Sequence, residues 1–134
     1  MSLSLYSAVL NTTDIRRAAA FWVAALDAKP RKDSDATVVD GEVRGLADDA
    51  EWLTLDLPGG GHLALQAGTV APVDRDQPIH LDIEASESRA AEVARLVQLG
   101  AVEQTDWPYP EGGDYTVLRD PDGHLFCVVD PVQV

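Results

Sequence analysis

Apolar and polar positions along the chain follow one pattern twice. A short alternating stretch, "LYSAVLNTTD" in the first half and "IHLDIE" in the second, precedes a segment whose apolar residues recur every three or four positions. Further alternating stretches follow, roughly at 29–39, "EWLTLDLP" and "HLALQAG" in the first half, and at "AVEQTDW", "YTVLRD" and "HLFCVVD" in the second. "PGGG" and "PDG" are typical of tight turns between strands. The pattern predicts β-α-β-β-β in each half.

The two predicted helices have start signals and apolar faces. Thr12 or Thr13 is the expected N-cap of the first helix and Ser86 that of the second, while Gly100 is expected to end the second. The apolar positions predicted to face the core are Ile15, Ala18, Ala19, Trp22, Val23 and Leu26 in the first helix, and Ala90, Val93, Ala94, Val97 and Leu99 in the second.

The repeat sets the expected domain organisation. With 134 residues, the chain suits a single α+β domain built from two βαβββ modules. We place module one at about 4–68, a Pro-containing linker at about 69–77, and module two at about 78–131.

The predicted strands have two unlike faces. Their leucines alternate with Trp52, Thr54, Gln66, His80 and Asp82, so the leucines are expected against the helices and the other face against solvent. A mixed polar and aromatic face is typical of a ligand-lined concavity. The segment "DWPYPEGGDY" supplies Trp107, Tyr109 and Tyr115, either as a rim of that concavity or as aromatics packed onto the fold. His62 and His124 each follow a turn glycine, where we expect no chemistry.

The net negative charge of the chain restricts the classes of macromolecule that it can bind. The chain carries 23 acidic and 10 basic residues, a formal net charge of −13, which disfavours binding to nucleic acid or to an anionic membrane. No apolar run approaches the roughly 20 residues needed to span a bilayer, and we expect no secretion signal. The single cysteine, Cys127, cannot form an internal disulfide, which favours a reducing, cytoplasmic location.

Three segments carry a resemblance to a known family: "SAVLNTTDIRRAAAFWVAALDA", "IHLDIEA" and "TVLRDPDGHLFCVVDP". With these, the chain resembles the vicinal oxygen chelate superfamily of glyoxalases, extradiol dioxygenases and bleomycin and fosfomycin resistance proteins, and is most similar to small glyoxalase-like domain proteins. The resemblance implies an open, cup-shaped mixed sheet formed by the two βαβββ modules, and often a homodimer.

The resemblance also implies a position for a metal. Family metal sites take two ligands from each module, usually His and Glu, on the first strand and on a late strand. Carried over by position, these are Ser7, Gln66, His80 and Cys127. This set contains no carboxylate, and hydroxyl and amide groups are weak ligands for divalent transition metals. We therefore predict no metal and no cofactor, and we expect Cys127 to be a small packed residue rather than a nucleophile or a ligand.

The predicted function is metal-free binding of a small organic molecule by a homodimer. The residues expected to contact this molecule are Ser7, Trp52, Thr54, Gln66, His80, Trp107, Tyr109, Tyr115 and Cys127. One alternative is a lyase or isomerase in which His80 and Asp82 exchange protons with a substrate. The other is a divalent-metal enzyme with an atypical ligand set, so the sequence leaves open whether the protein is an enzyme.

Overall fold

The computed structural model describes residues 2–71 and 74–131. The chain divides into two compact units, Met1–Val70 and Ala71–Val134. Residues 72 and 73 belong to the predicted linker, which therefore lies partly outside the described residues, and the module and linker boundaries stay predictions. No described helix is both long enough and apolar enough to cross a membrane.

The first unit is a mixed four-stranded sheet covered by one helix. Its elements are β1 (Ser7–Thr12), α1 (Ile15–Leu26), β2 (Lys29–Pro30), β3 (Thr37–Val39), β4 (Glu42–Arg44), β5 (Trp52–Asp56) and β6 (His62–Ala67). The sheet order is β1-β6-β5-β2, and only the β1–β6 pair is parallel. The single strand expected over 29–39 is wrong, because β3 and β4 form a separate hairpin. Asp40 and Gly41 both adopt positive φ there, as its tight turn requires.

The second unit repeats this plan without the extra hairpin. Its elements are β7 (Leu81–Glu84), α2 (Arg89–Leu99), β8 (Val102–Glu103), β9 (Tyr115–Arg119) and β10 (Leu125–Val129). The sheet order is β7-β10-β9-β8, again with one parallel pair, β7–β10. Two tandem βαβββ modules with mixed sheets confirm the predicted α+β fold class.

The cores follow the predicted faces closely in the first unit and less closely in the second. On α1, Ile15, Ala18, Ala19, Trp22 and Val23 are buried as expected, whereas Leu26 is only partly buried. The sheet contributes buried Leu53, Leu55, Leu63 and Leu65. On α2 the prediction is mostly wrong: Val93 is buried as expected, but the other predicted positions are exposed, namely Ala90, Ala94, Val97 and Leu99. Leu96, which was not predicted, is buried instead. The alanine-rich helix offers more than one apolar stripe, and contact with the sheet selects the one through Leu96.

Both helices have their N-cap one or two residues later than predicted. Asp14 is the N-cap of α1, and its carboxylate accepts from the Arg17 N–H at 3.1 Å. Thr12 is buried and its hydroxyl accepts instead from the Asp14 N–H at 3.0 Å. Ser88 rather than Ser86 caps α2. The caps expected at Thr12 or Thr13 and at Ser86 are therefore wrong, because several capping residues stand in series before each helix.

The turn between β9 and β10 is organised by one buried carboxylate. Asp120 is 4% exposed, and its Oδ1 accepts from the N–H groups of Asp122 at 3.0 Å and His124 at 2.8 Å. Its Oδ2 lies 2.9 Å from Nδ1 of His124, and this hydrogen bond raises the pKa of the histidine. His124 thus helps to hold the turn that aligns β10.

Replacing Asp120 with alanine is expected to reduce the free energy of unfolding by about 2–4 kcal/mol, because buried N–H groups lose a charged acceptor. Asp120→Asn, which keeps one acceptor oxygen, should cost less. Urea denaturation measures the free energy of unfolding of both variants.

The stability contributed by His124 should depend on pH. Because the folded-state pKa of His124 is raised, its pairing with Asp120 stabilises the fold fully below the unfolded-state pKa, and this stabilisation is lost as the pH rises through the folded-state pKa. The wild-type advantage over His124→Gln should therefore be larger at acidic than at alkaline pH, and equal values at both would contradict this account.

Candidate functional site

A cavity of about 560 Å³ lies on the exposed face of the sheet in the second unit. Its floor consists of side chains from or next to β7, β9 and β10, and its rim comes from the chain before β7 and from the loop before β9. The floor residues are His80, Asp82, Tyr115, Val117, Leu125, Cys127 and Val129, and the rim residues are Arg75, Asp76, Gln77, Trp107 and Asp114.

Strand register brings the reactive side chains of this floor together. β7 runs parallel to β10, and Asp82 lies directly opposite Cys127. On the other side of β10, Val117 of β9 lies opposite Cys127. His80 directly precedes β7 and, two positions before Asp82, projects on the same side. Cys127 is therefore at the centre of the floor, between Asp82 of β7 and Val117 of β9.

His80, Asp82 and Cys127 form one cluster. The Nε2 atom of His80 lies 3.0 Å from Oδ1 of Asp82, and one donor atom from each of the three residues lies within 4.8 Å of the other two. The side chains of His80 and Asp82 are 49% and 60% exposed, so their contact contributes little to folding but is open to a ligand.

The cysteine of this cluster holds its proton. Burial, followed by the negative charge of Asp82 and a hydrogen bond to its carboxylate, raises the pKa of the Cys127 thiol to about 11. At neutral pH the thiol is therefore protonated and donates to Asp82. A protonated thiol is a poor nucleophile, which agrees with the expectation that Cys127 is no nucleophile.

The rim of the cavity is held by a contact between two segments distant in sequence. The Arg75 guanidinium carbon lies 5.6 Å from the centre of the Trp107 ring, and its Nη2 atom donates to the carbonyl oxygen of Asp106 at 3.3 Å. Arg75 thus fixes the chain before β7 against the loop that carries Trp107.

Tyr109 does not line this cavity. Its hydroxyl accepts from the Val117 N–H at 2.9 Å and donates to the Gln104 carbonyl at 2.9 Å, and burial raises the pKa of the phenol. Its ring centre lies 5.7 Å from that of Tyr115, which does line the cavity. Tyr109 therefore fastens the aromatic loop to β9 and packs beside a cavity residue.

Of the predicted contact residues, the structure brings four around one cavity, together with Asp82, the predicted proton-transfer partner of His80. The four are His80, Trp107, Tyr115 and Cys127. Ser7, Trp52, Thr54 and Gln66 belong to the first unit. There the Trp52 indole N–H donates to the Thr54 hydroxyl at 2.9 Å, and Trp52 lies opposite Gln66. The role of these four residues in ligand binding stays a prediction.

The strand register changes one position carried over from the family. Asp82, two residues after His80, lies opposite Cys127. The first-unit counterpart of His80 is Ser7, and the residue two positions after it, Val9, lies opposite Ala64. Ala64, not Gln66, is therefore the counterpart of Cys127. Counting from turn glycines fails because the glycine stands at different places in two turns of equal length, 57–61 and 120–124. Gly61 directly precedes β6, whereas Gly123 lies two residues before β10.

The residues present fit a family-type metal site poorly. The carried-over positions contain no carboxylate. Ser7 offers a hydroxyl, His80 an imidazole and Cys127 a thiol, and the fourth position is the amide of Gln66 by the first count or the methyl group of Ala64 by strand register. Asp82 supplies one carboxylate beside His80 and Cys127, but it already accepts from both neighbours, and an ion would have to displace the thiol proton. His80, Asp82 and Cys127 suit a thiophilic ion such as zinc better than a hard ion such as manganese. In the structure, hydrogen bonds to Asp82 connect the three side chains.

A family model described as a glyoxalase-like domain matches residues 7–129. The chain belongs to this family. Its fold is shared with a fosfomycin resistance protein, FosX, from Listeria monocytogenes in complex with Mn(II) and 1S,2S-dihydroxypropylphosphonic acid, at 17% identity and a TM-score of 0.68, covering 98% of this chain and 93% of that one. The family match confirms the predicted similarity to glyoxalase-like domain proteins, and the FosX structure shows a shared fold.

Two further solved structures share the glyoxalase-like fold. A glyoxalase/bleomycin resistance protein/dioxygenase family enzyme from Burkholderia phytofirmans has 14% identity and a TM-score of 0.65, with 97% of this chain and 100% of that one covered. A glyoxalase-related enzyme from Fulvimarina pelagi has 17% identity and a TM-score of 0.61, covering 95% and 87%. No curated protein matches the chain. At these identities the likeness concerns the fold alone.

Sequence reasoning missed several residues of the cavity. Alternation along β9 and β10 places Val117 on the same face as Tyr115, and Leu125 and Val129 on the same face as Cys127. Once Tyr115 and Cys127 are predicted to line a cavity, these neighbours can be predicted too. Asp114 directly precedes Tyr115. Arg75 carried no such signal, because it lies in a polar segment that reads as a linker.

The raised pKa makes Cys127 slow to react with thiol reagents. At pH 8, alkylation of the folded protein by iodoacetamide should be roughly 100-fold slower than that of the same chain in urea, with a rate that keeps rising towards pH 11. Asp82→Asn removes one cause of the raised pKa and should speed the reaction by about tenfold, while burial still slows it. Rapid modification of folded wild type at pH 7 would contradict the thiol–carboxylate hydrogen bond.

Proposed function

We propose that this glyoxalase-like protein binds a small organic molecule in the cavity of the second unit. The observation that carries the proposal is the cavity's composition: an apolar floor around Val117 and Leu125, two aromatic rings, and the His80–Asp82 pair within one space of about 560 Å³. Small-molecule sites have this size, a mostly apolar lining and a few polar groups that fix orientation.

The charges of the lining favour an uncharged or cationic ligand. Asp76, Asp82 and Asp114 line the cavity, against a single arginine, Arg75. Arg75 already donates to the loop and lies over Trp107, so its charge is partly engaged. An anion would meet the repulsion of three carboxylates, whereas hydrogen-bond donors on a ligand would find acceptors.

Binding without a metal is supported by the donor chemistry of the site. Asp82 is the carboxylate acceptor of both the imidazole and the thiol, and the thiol keeps its proton to a pKa of about 11. The imidazole, the carboxylate and the thiol thus hydrogen-bond to one another, and the proposed binding does not require an ion.

A second candidate function is proton transfer by His80 and Asp82. His80 Nε2 and Asp82 Oδ1, 3.0 Å apart, lie at the cavity floor and are open to a bound molecule. An imidazole oriented by a carboxylate can take a proton from a substrate and return it elsewhere, which is the chemistry of a lyase or an isomerase. This pair is the specific observation in favour of an enzyme.

Ligand binding should quench the fluorescence of Trp107. We expect saturable quenching by members of a panel of neutral and cationic aromatic compounds. Trp107→Phe should remove the signal, and Trp52→Phe, which changes an exposed tryptophan of the first unit, should keep it. Quenching that disappears in Trp52→Phe but persists in Trp107→Phe would contradict the assigned site.

His80→Ala separates binding from catalysis with the same ligands. In a binding protein it should weaken affinity by about tenfold and leave the compound unchanged, since one hydrogen-bonding group is lost. In an enzyme, mass spectrometry should detect a product with wild type and none with the variant.

Metal analysis tests the proposed metal-free state. Protein purified at pH 7 without chelator should contain far less than one equivalent of metal, as should His80→Ala. Zinc uptake by wild type should increase with pH, because the ion must displace the Cys127 proton. Near-stoichiometric metal in wild type at pH 7 that is lost in His80→Ala would favour a metal-dependent enzyme instead.

A homodimer in the cytoplasm remains part of the proposal. The resemblance supports the homodimer and the single cysteine supports a reducing compartment. Light scattering and cell fractionation can check these two predictions.

A further inference from the structure

The first unit carries a cavity of its own, of about 580 Å³. The cavity, here called the basic groove, lies among the C-terminal part of α1, strand β2 and strand β3. Its apolar lining comes from Val23, Ala24, Ala28, Pro30, Ala36 and Val38. A space of this size with an apolar wall can take a small organic molecule.

The basic groove has the opposite charge to the cavity of the second unit. Lys29, Arg31 and Lys32 line it, and Asp27 is the acidic residue in its lining. Both lysines of a chain that has 23 acidic and 10 basic residues therefore line this one groove. In a protein of net charge −13, such a concentration of cations creates a local site for an anion.

Structural pairing accounts for only part of this charge. Arg31 lies 3.7 Å from a carboxylate oxygen of Asp33, a long contact, and Lys29 and Lys32 have no ion pair within residues 2–71 and 74–131. A cation just beyond the C-terminus of α1 is favoured by the helix dipole, which explains Lys29 alone. The Arg31 guanidinium carbon also lies 5.8 Å from the centre of the Tyr6 ring, so the charge of Arg31 is partly engaged. Lys32 is the cation of the groove that these contacts leave most available to a ligand.

The backbone that carries these cations is anchored on both sides. The Arg31 N–H donates to the Thr54 carbonyl at 3.0 Å, which extends the alignment of β2 with β5. The Arg31 carbonyl accepts from the Ser34 N–H at 3.0 Å and from the Ser34 hydroxyl at 2.8 Å. The segment is thus a fixed turn, and anion binding there needs little ordering of the chain.

We propose that the basic groove is a second ligand site, which binds a small organic anion: a carboxylate, sulfonate or phosphate attached to a compact apolar body. The anionic group pairs with Lys29, Arg31 and Lys32, and the apolar body packs against the alanine-rich wall. The site is independent of the cavity in the second unit, whose carboxylates repel such a ligand.

The test uses the full chain, with naphthalene-2-sulfonate as the anionic probe and 2-naphthol as its uncharged counterpart. Amide chemical shifts followed by NMR should change saturably at residues of the groove such as Ala24, Ala28 and Val38. The sulfonate should bind at least about tenfold more tightly than the naphthol, since only the sulfonate has a charge to pair.

Three variants assign the effect. Lys29→Gln/Lys32→Gln should weaken sulfonate binding by about tenfold or more, whereas Lys29→Arg/Lys32→Arg, which keeps both charges, should bind within about threefold of wild type. Arg17→Gln/Arg95→Gln, which removes the same number of positive charges from exposed residues of α1 and α2, should bind like wild type and so excludes an effect of net charge. Equal affinity for the two probes, shifts confined to the second unit, or undiminished binding by Lys29→Gln/Lys32→Gln would overturn the proposal.

Discussion

The parallel pairing of β7 with β10 is the constraint on which the candidate site depends. It joins the first and last strands of the second unit, and its register sets Asp82 opposite Cys127. The buried Asp120 carboxylate fixes the turn that aligns β10, and β9 then completes the floor of the cavity from the other side. A slip of one residue in this pairing would send every side chain of the strand to the opposite face of the sheet.

In the candidate site, the Asp82 carboxylate accepts hydrogen bonds from two side chains. In the cluster, Asp82 serves both His80 and Cys127, which keeps the thiol protonated and the imidazole oriented. The fold is that of proteins such as the manganese-bound Listeria protein, but fold does not determine the donors. Here His80 and Cys127, two of the positions that the resemblance implies for metal ligands, both hydrogen-bond to Asp82.

The duplicated plan supports two unlike surfaces. Each unit has the same strand order and one parallel pair, yet the two cavities differ in charge. Three carboxylates and one arginine line the cavity of the second unit, whereas three cations line the basic groove beside an inserted hairpin in the first. The hairpin of β3 and β4 has no counterpart within residues 74–131, and residues of β3 line the groove. Insertion into a repeated scaffold thus separates ligand chemistry between its halves.

The sequence by itself determined the element types, the repeat and the leucine faces, since alternation and helical periodicity express which side of an element is buried. Glycine at position 100 likewise marked the end of α2, because its positive φ suits that residue. Tertiary structure alone decided the cap among neighbouring Thr and Asp residues, the buried stripe of α2, and the equivalence of Ala64 with Cys127. It also decided that Asp82 meets Cys127 and that Arg75 reaches Trp107. These contacts join residues far apart in the chain, and their register is set by the packing of whole strands, which no local pattern encodes.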